Sequence, residues 1–139
     1  MSVSRETGWT VLPFIYALWV FSVGAVVALS LLPDVGMPGD SSNADKIGHF
    51  FAYLWIALLP ALIMKSPKRS ILLFAGLVLL GAVLEVGQMY VPGRMFSFAD
   101  MGANAAGAVA GIFMGRRYRA RFWRYLRRNK RPDQEGERT

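Results

Sequence analysis

Residues 85–104 read EVGQMYVPGRMFSFADMGAN, and this stretch organises the rest of the chain. Glu85 and Gln88 lie three residues apart at the end of one apolar segment. Asp100 and Asn104 lie four apart at the start of the next, so each pair falls on one face of a helix. The Pro-Gly-Arg turn between them is predicted to bring both pairs to the same membrane boundary. Placing ionisable residues in a membrane segment costs free energy, so we interpret this corner of the chain, residues 85–104, as a candidate functional site.

The composition indicates a membrane protein of one domain. The chain has 139 residues, 54% of them hydrophobic, and its mean hydropathy is positive. It contains no cysteine, which excludes disulfides and thiolate chemistry.

Four apolar segments cover residues 11–32, 45–64, 70–91 and 98–115, and each is predicted to cross the membrane. The first is too long for a signal-peptide core and lacks a small-residue cleavage pattern, so we interpret it as a retained helix. Residues 33–44 and 65–69 are predicted loops, and Asn43 or Asp45 is expected to cap the second helix. The predicted fold is therefore an all-α integral membrane bundle of four transmembrane helices, the domain of residues 11–115.

The fourth segment carries small residues at every fourth position, namely Ala103, Gly107, Gly111 and Gly115. Such a stripe lets another helix approach closely in lipid. We interpret it as a packing surface.

The basic residues are concentrated after the fourth segment. Residues 116–131 hold nine Lys and Arg and no acidic residue, whereas the rest of the chain carries a net charge of −2. Aromatic residues interleave with the arginines, which predicts a short interfacial basic helix that binds anionic lipids. A nucleic-acid partner is the weaker interpretation, because the segment directly follows a membrane span.

Loop charges predict the orientation. The basic residues of the 65–69 loop and of the tail fall on one side, which the positive-inside rule assigns to the cytoplasm. The N-terminal segment 1–10 and the basic tail 116–139 are then cytoplasmic, and the 85–104 corner faces outward. The predicted location is the cytoplasmic (inner) membrane.

Polar residues of the second, third and fourth predicted spans are expected to lie at the same outer level of the membrane. Residues 45, 49 and 53 recur every four positions, so they lie on one helix face. Arg94 and Lys46 would contact an anionic lipid-linked or head-group ligand. The predicted ligand-binding residues are Asp45, Lys46, His49, Tyr53, Glu85, Gln88, Arg94, Asp100 and Asn104.

Other interpretations of these residues stay open at this stage. His49 or Glu85 could act as a general base in an enzyme, whereas a Ser97–His49 dyad lacks any supporting motif. Asp45, His49, Glu85 and Asp100 are residue types that suit Mn²⁺ or Zn²⁺, but no spacing matches an established metal motif. We therefore predict no metal and no cofactor. The cluster could also be structural, because polar groups join helices in membranes.

Polar motifs follow one another along three of the predicted spans. They are Asp45-Lys46-x-x-His49-x-x-x-Tyr53, Glu85-x-x-Gln88, Pro92-Gly93-Arg94, Asp100 and Asn104-x-x-Gly107. This ordered set resembles the VanZ-like family of small integral membrane proteins over roughly residues 30–115.

This resemblance implies a bacterial protein linked to the cell envelope, since the founding member is tied to teicoplanin resistance. It supplies a context but no reaction, and it gives no role to the basic tail. The alternatives to a ligand-binding protein are a membrane enzyme acting on lipid or cell-wall precursors and a structural or partner protein.

Overall fold

The computed structural model describes residues 3–33 and 41–128, and all regular secondary structure in these ranges is helical. α2 and α4 make the most extensive contact, α3 packs mainly on α4, and α1 packs mainly on α2. The all-α prediction is confirmed. The helices are α1 (Val3–Ser30), α2 (Ser41–Ile63), α3 (Pro67–Gln88) and α4 (Phe98–Arg128).

Three of the helices are long and apolar enough to cross a membrane, over Val11–Ser30, Asn43–Ile63 and Pro67–Gln88. Their outer surfaces carry large apolar side chains, such as Phe21 at 75% exposed and Leu72 at 71% exposed. Such surfaces suit lipid rather than water. α4 does not reach the same apolarity, because its first half mixes polar residues with glycines and alanines. The structure thus supports three of the four predicted spans by composition.

The sequence predicted a separate interfacial helix after Gly115, but the described residues form no separate helix there. α4 continues without a break to Arg128, because arginine is a good helix former and no proline or glycine intervenes. Arg119 Nη1 donates to Met64 O at 3.0 Å, and Trp123 Nε1 donates to Leu62 O at 3.2 Å. Leu62 lies in the last turn of α2 and Met64 directly follows it, where carbonyls lack helical partners, so the first turns of the basic segment cap the C-terminal end of α2.

The small-residue stripe of α4 lies directly against the backbone of α2. A Cβ atom on Gly107 would collide with Phe50 O, and one on Gly111 would collide with Leu54 O. One on Gly115 would lie 2.6 Å from the Cβ atom of Ala61. The predicted packing role is confirmed, and α2 is the helix that the stripe admits.

Two tryptophans attach α1 to α2. Pro60 lies inside α2 and has no N–H, so the carbonyl of Ile56 loses its usual helical partner. Trp19 Nε1 of α1 donates to that carbonyl at 2.8 Å. Trp55 Nε1 of α2 donates in turn to Ser22 Oγ of α1 at 3.1 Å. These bonds satisfy polar groups that lipid could not satisfy.

Several predicted boundaries need correction. α1 begins at Val3, so Pro13 is internal, and the predicted segment 1–10 is helical from Val3 onward. α2 begins at Ser41, which places Asn43 and Asp45 inside the helix and rules out the predicted capping by either residue. α3 begins at Pro67. A helix tolerates proline at its first position, because the N–H of that residue would have no partner within the helix. Residues 34–40 and 129–139, parts of the predicted loop and tail, lie outside the described residues.

Candidate functional site

The connection from α3 to α4 contains the turn that the sequence predicted. Arg94 N donates to Val91 O at 3.1 Å, and Gly93 between them has φ 79°. Pro92 at the second position and a glycine of positive φ at the third define a type II turn. The turn places the Arg94 side chain beside α1 and α2.

The start of α4 is tied to the end of α3 by a carboxylate. Ser97 is the N-cap of α4, since its Oγ accepts the N–H of Asp100 at 3.2 Å. The N–H of Ser97 donates to Glu85 Oε2 at 3.0 Å. A carboxylate is favourable here because the N-terminus of a helix carries partial positive charge. Ser97 therefore serves the helix cap, and the structure does not form the Ser97–His49 dyad.

His49 is joined to Asn104 across the interface between α2 and α4. The two atoms, His49 Nδ1 and Asn104 Oδ1, lie 3.1 Å apart. An amide oxygen only accepts, so Nδ1 donates this hydrogen bond and Nε2 is left for another partner. The His49 side chain is 10% exposed, and its Nε2 lies 3.9 Å from Asp45 Oδ1.

Arg94 bridges three parts of the molecule. Its Nη1 donates to Asp45 Oδ1 at 3.3 Å and to Oδ2 at 3.4 Å. Its Nε donates to Leu32 O, just past the end of α1, at 3.4 Å. Gln88 makes a second link to α1, because its Nε2 donates to Ser30 O at 3.0 Å.

Two buried polar atoms have no hydrogen-bond partner among the described residues, and these are Tyr53 Oη and Glu85 Oε1. Each of these side chains is 1% exposed. A Cβ atom on Gly81 would lie 3.1 Å from Asn104 Nδ2 and 3.3 Å from Tyr53 Oη. Gly81 thus leaves room for both polar groups beside α3.

A cavity of about 470 Å³ lies between α1 and α2 at this end of the bundle. Asp45, His49 and Arg94 supply its polar wall. The remaining lining residues are apolar or small, apart from one serine, and come from α1 and α2: Val26, Leu29, Ser30, Ala44, Gly48 and Ala52.

The structure brings together eight of the nine predicted site residues. Three line the cavity, and Tyr53, Glu85, Gln88, Asp100 and Asn104 are buried near it. Lys46 is half-buried in the first turns of α2 and does not line the cavity. The site role of all nine residues stays a prediction.

Sequence reasoning missed four residues that contribute to this site. Ser97 was recognisable, because Ser-x-x-Asp before an apolar run is a capping signature. Gly81 had no sequence signal, since its role depends on side chains of two other helices. The same holds for the carbonyls of Ser30 and Leu32 in α1.

Three residues of the site could hold a metal ion. One candidate ligand atom each from Asp45, His49 and Asp100 lies within 4.8 Å of the other two. These residues come from two helices, and no spacing along the chain could have shown that they meet.

The fold and this site define a small helical membrane protein with a polar cavity at one end of its bundle. The chain belongs to the VanZ family, since the family described as VanZ/LLP1 matches residues 4–119. The predicted family membership is confirmed. No curated protein and no solved structure matches the chain.

Proposed function

We propose that this protein is a cell-envelope membrane protein whose polar cavity binds a lipid-linked or head-group ligand. The cavity volume falls within the range of about 300–1,000 Å³ that is usual for small-molecule sites. Its walls combine apolar side chains of α1 with charged side chains of α2 and the turn. Such a lining suits a ligand that has a polar head and an apolar chain.

Arg94 carries this proposal. Its Nε and Nη1 are engaged by Leu32 and Asp45, whereas Nη2 makes no hydrogen bond with any described residue. The side chain is 18% exposed and lines the cavity. A guanidinium that is held in place by two bonds and keeps free donors is well suited to a phosphate or carboxylate.

Access from lipid supports a membrane-borne ligand. Leu29 lines the cavity and is 63% exposed on the surface of α1. An acyl or prenyl chain could therefore stay in the bilayer while its head group enters the cavity. In the proposed orientation this entrance belongs to the outer leaflet.

The test compares Arg94→Ala with Arg69→Ala, which removes an exposed arginine in the first turn of α3, at the opposite end of the bundle. Native mass spectrometry would measure the binding of a polyprenyl phosphate, with phosphatidylcholine as the reference lipid. We expect Arg94→Ala to lose at least about tenfold in affinity, the loss of one charge-assisted contact. Equal binding by both variants, with unchanged teicoplanin susceptibility of the host, would refute the role of Arg94.

A second candidate is a membrane enzyme acting on lipid or cell-wall precursors. The observation that favours it is His49, which lines the cavity with Nδ1 bonded to Asn104 and Nε2 left for another partner. This is the arrangement of an oriented general base. Turnover of a panel of lipid phosphates by the purified protein, abolished in His49→Gln, would favour the enzyme over the binder.

We further propose a cytoplasmic membrane location with both termini inside, α4 as the fourth crossing and anionic lipids at the exposed arginines of α4. Cysteines at Asn43 and Lys68 test the orientation, because both residues are exposed and lie at opposite ends of the bundle. The chain has no native cysteine to interfere. An impermeant maleimide should label Asn43→Cys and not Lys68→Cys in intact cells. The opposite pattern would invert the topology.

A further inference from the structure

The geometry points to a divalent transition-metal site formed by Asp45, His49 and Asp100 at the wall of the cavity. The sequence spacing predicted no metal, because the ligands meet only through the packing of α2 against α4. The inference does not depend on which ligand the cavity takes, and a metal titration tests it without that ligand.

The ligand atoms are close enough to share one ion. Candidate atoms of the three residues all lie within 4.8 Å of one another. Atoms bound to one ion at about 2.0–2.2 Å are separated by about 3–4.4 Å, depending on the coordination geometry. Small rotations of the side chains would therefore complete the site.

His49 already has the orientation that a metal ligand needs. Its Nδ1–H is directed to Asn104 Oδ1 at 3.1 Å, which leaves Nε2 as the coordinating atom. Histidine ligands in proteins almost always donate their other ring N–H to such an acceptor. Asn104 is itself 2% exposed and fixed in the interface between α2 and α4.

The carboxylates of Asp100 and Asp45 contribute to the proposed metal site in different ways. Asp100 is 7% exposed, and no described residue gives its carboxylate a hydrogen bond or an ion pair. A bound cation would supply a partner to this largely enclosed group. Arg94 donates to both carboxylate oxygens of Asp45, and such hydrogen bonds commonly orient the carboxylates that bind metal ions.

Glu85 places a third carboxylate at this end of the bundle. Its Oε1 is buried and has no hydrogen-bond partner among the described residues. A cation bound close to these carboxylates would offset part of the cost of burying them.

Two oxygen ligands and one imidazole suit Mn²⁺ or Zn²⁺ better than Mg²⁺ or Ca²⁺, which prefer all-oxygen sites. Three protein ligands leave coordination positions open, as in metal sites that bind a further ligand. Asp45 and His49 line the cavity, so these positions would face it. The ion and Arg94 would then present two cationic groups to an anionic head group.

The experiment uses full-length, Strep-tagged protein in detergent, stripped with EDTA and titrated with Mn²⁺. The free Mn²⁺ signal in electron paramagnetic resonance gives stoichiometry and affinity, and Zn²⁺ and Mg²⁺ are added as competitors. We expect one Mn²⁺ per chain, displaced by Zn²⁺ and not by equimolar Mg²⁺. Electron spin-echo envelope modulation should show one imidazole nitrogen coupled to the bound ion.

The variants are Asp100→Asn, His49→Gln and Asp45→Asn, and the matched control is Glu6→Gln at the opposite end of α1. Loss of one ligand should lower affinity at least about tenfold, the lower bound for outer-shell partners. His49→Gln should also abolish the nitrogen modulation. Asp45 is 41% exposed, so Asp45→Asn is expected to fold even where Asp100→Asn does not.

The inference is overturned if the stripped protein takes up no stoichiometric Mn²⁺. It is equally overturned if folded Asp45→Asn and His49→Gln bind Mn²⁺ as tightly as Glu6→Gln.

Discussion

Gly107→Ala tests the central contact of the bundle, the approach of α4 to α2. The new Cβ atom would collide with Phe50 O, a backbone atom that cannot rotate away. Phe50 C at 3.0 Å and Leu54 N at 3.1 Å enclose the same position, so the two helices must separate. The matched control is Gly102→Ala on the same helix, where nothing lies within 4 Å of the added atom.

The expected magnitude is the difference between two effects. Overpacking costs about 1–3 kcal/mol, and the upper end applies because backbone opposes the new methyl group. Alanine gains up to about 1 kcal/mol over glycine in a helix interior. The net destabilisation of Gly107→Ala is therefore about 2 kcal/mol, whereas Gly102→Ala should be neutral or more stable by up to about 1 kcal/mol.

Thermal unfolding in detergent, followed by the fluorescence of the four tryptophans, measures both variants. At roughly 3 °C per kcal/mol for a chain of this size, Gly107→Ala should lower Tm by about 6 °C. Asn104 is one helical turn before Gly107, so the same variant should also weaken Mn²⁺ binding through His49. If Gly107→Ala and Gly102→Ala have equal Tm values, α4 does not lie against α2 as closely as described.

Three further predictions concern single contacts. Ser97→Ala should cost about 1 kcal/mol through loss of the α4 cap, and Ser97→Gly only a few tenths, as measured by Tm. Trp55→Phe and Ser22→Ala should each cost about 1 kcal/mol, and the double variant should cost much less than their sum because both remove the same bond. Glu85→Gln keeps an acceptor for the N–H of Ser97, so Tm should stay within about 3 °C, a loss below 1 kcal/mol. If teicoplanin susceptibility changes in a Glu85→Gln variant of normal Tm, the carboxylate is functional, whereas a parallel fall in Tm would make it structural.

The sequence predicted those features that depend on one segment at a time. Apolar length predicted the helices, and Pro92-Gly93 predicted the turn between α3 and α4. The four-residue repeat at Gly107 and Gly111 predicted a close helix contact. In each case the physical cause is local, namely segment length, proline and glycine geometry, or the absence of a side chain.

The individual partners of polar groups on different segments were not predictable. The basic segment was predicted to lie on the membrane surface, but Arg119 and Trp123 donate to the carbonyls of Met64 and Leu62 at the C-terminal end of α2. Likewise, nothing in the sequence indicated that the Ile56 carbonyl, which Pro60 leaves without its helical partner, accepts a hydrogen bond from Trp19. Which partner a polar group finds depends on how the helices pack, and this choice has no local signature in the sequence.

Contacts between the helices fix the geometry of the candidate site. Gly107 and Gly111 bring the backbones of α2 and α4 together, and this fixes His49 against Asn104 at 3.1 Å. Gly81 leaves space on the third side for the buried Tyr53 hydroxyl. Ligand-binding groups on rigid helices keep their geometry better than groups on loops. α1 forms the other wall of the cavity and packs mainly on α2. Its C-terminal end is fixed to the polar wall, because Gln88 donates to Ser30 O and Arg94 donates to Leu32 O. The two walls are therefore held at a set distance, and a polar wall that faces an apolar helix in this way is suited to a ligand with a polar head and an apolar chain.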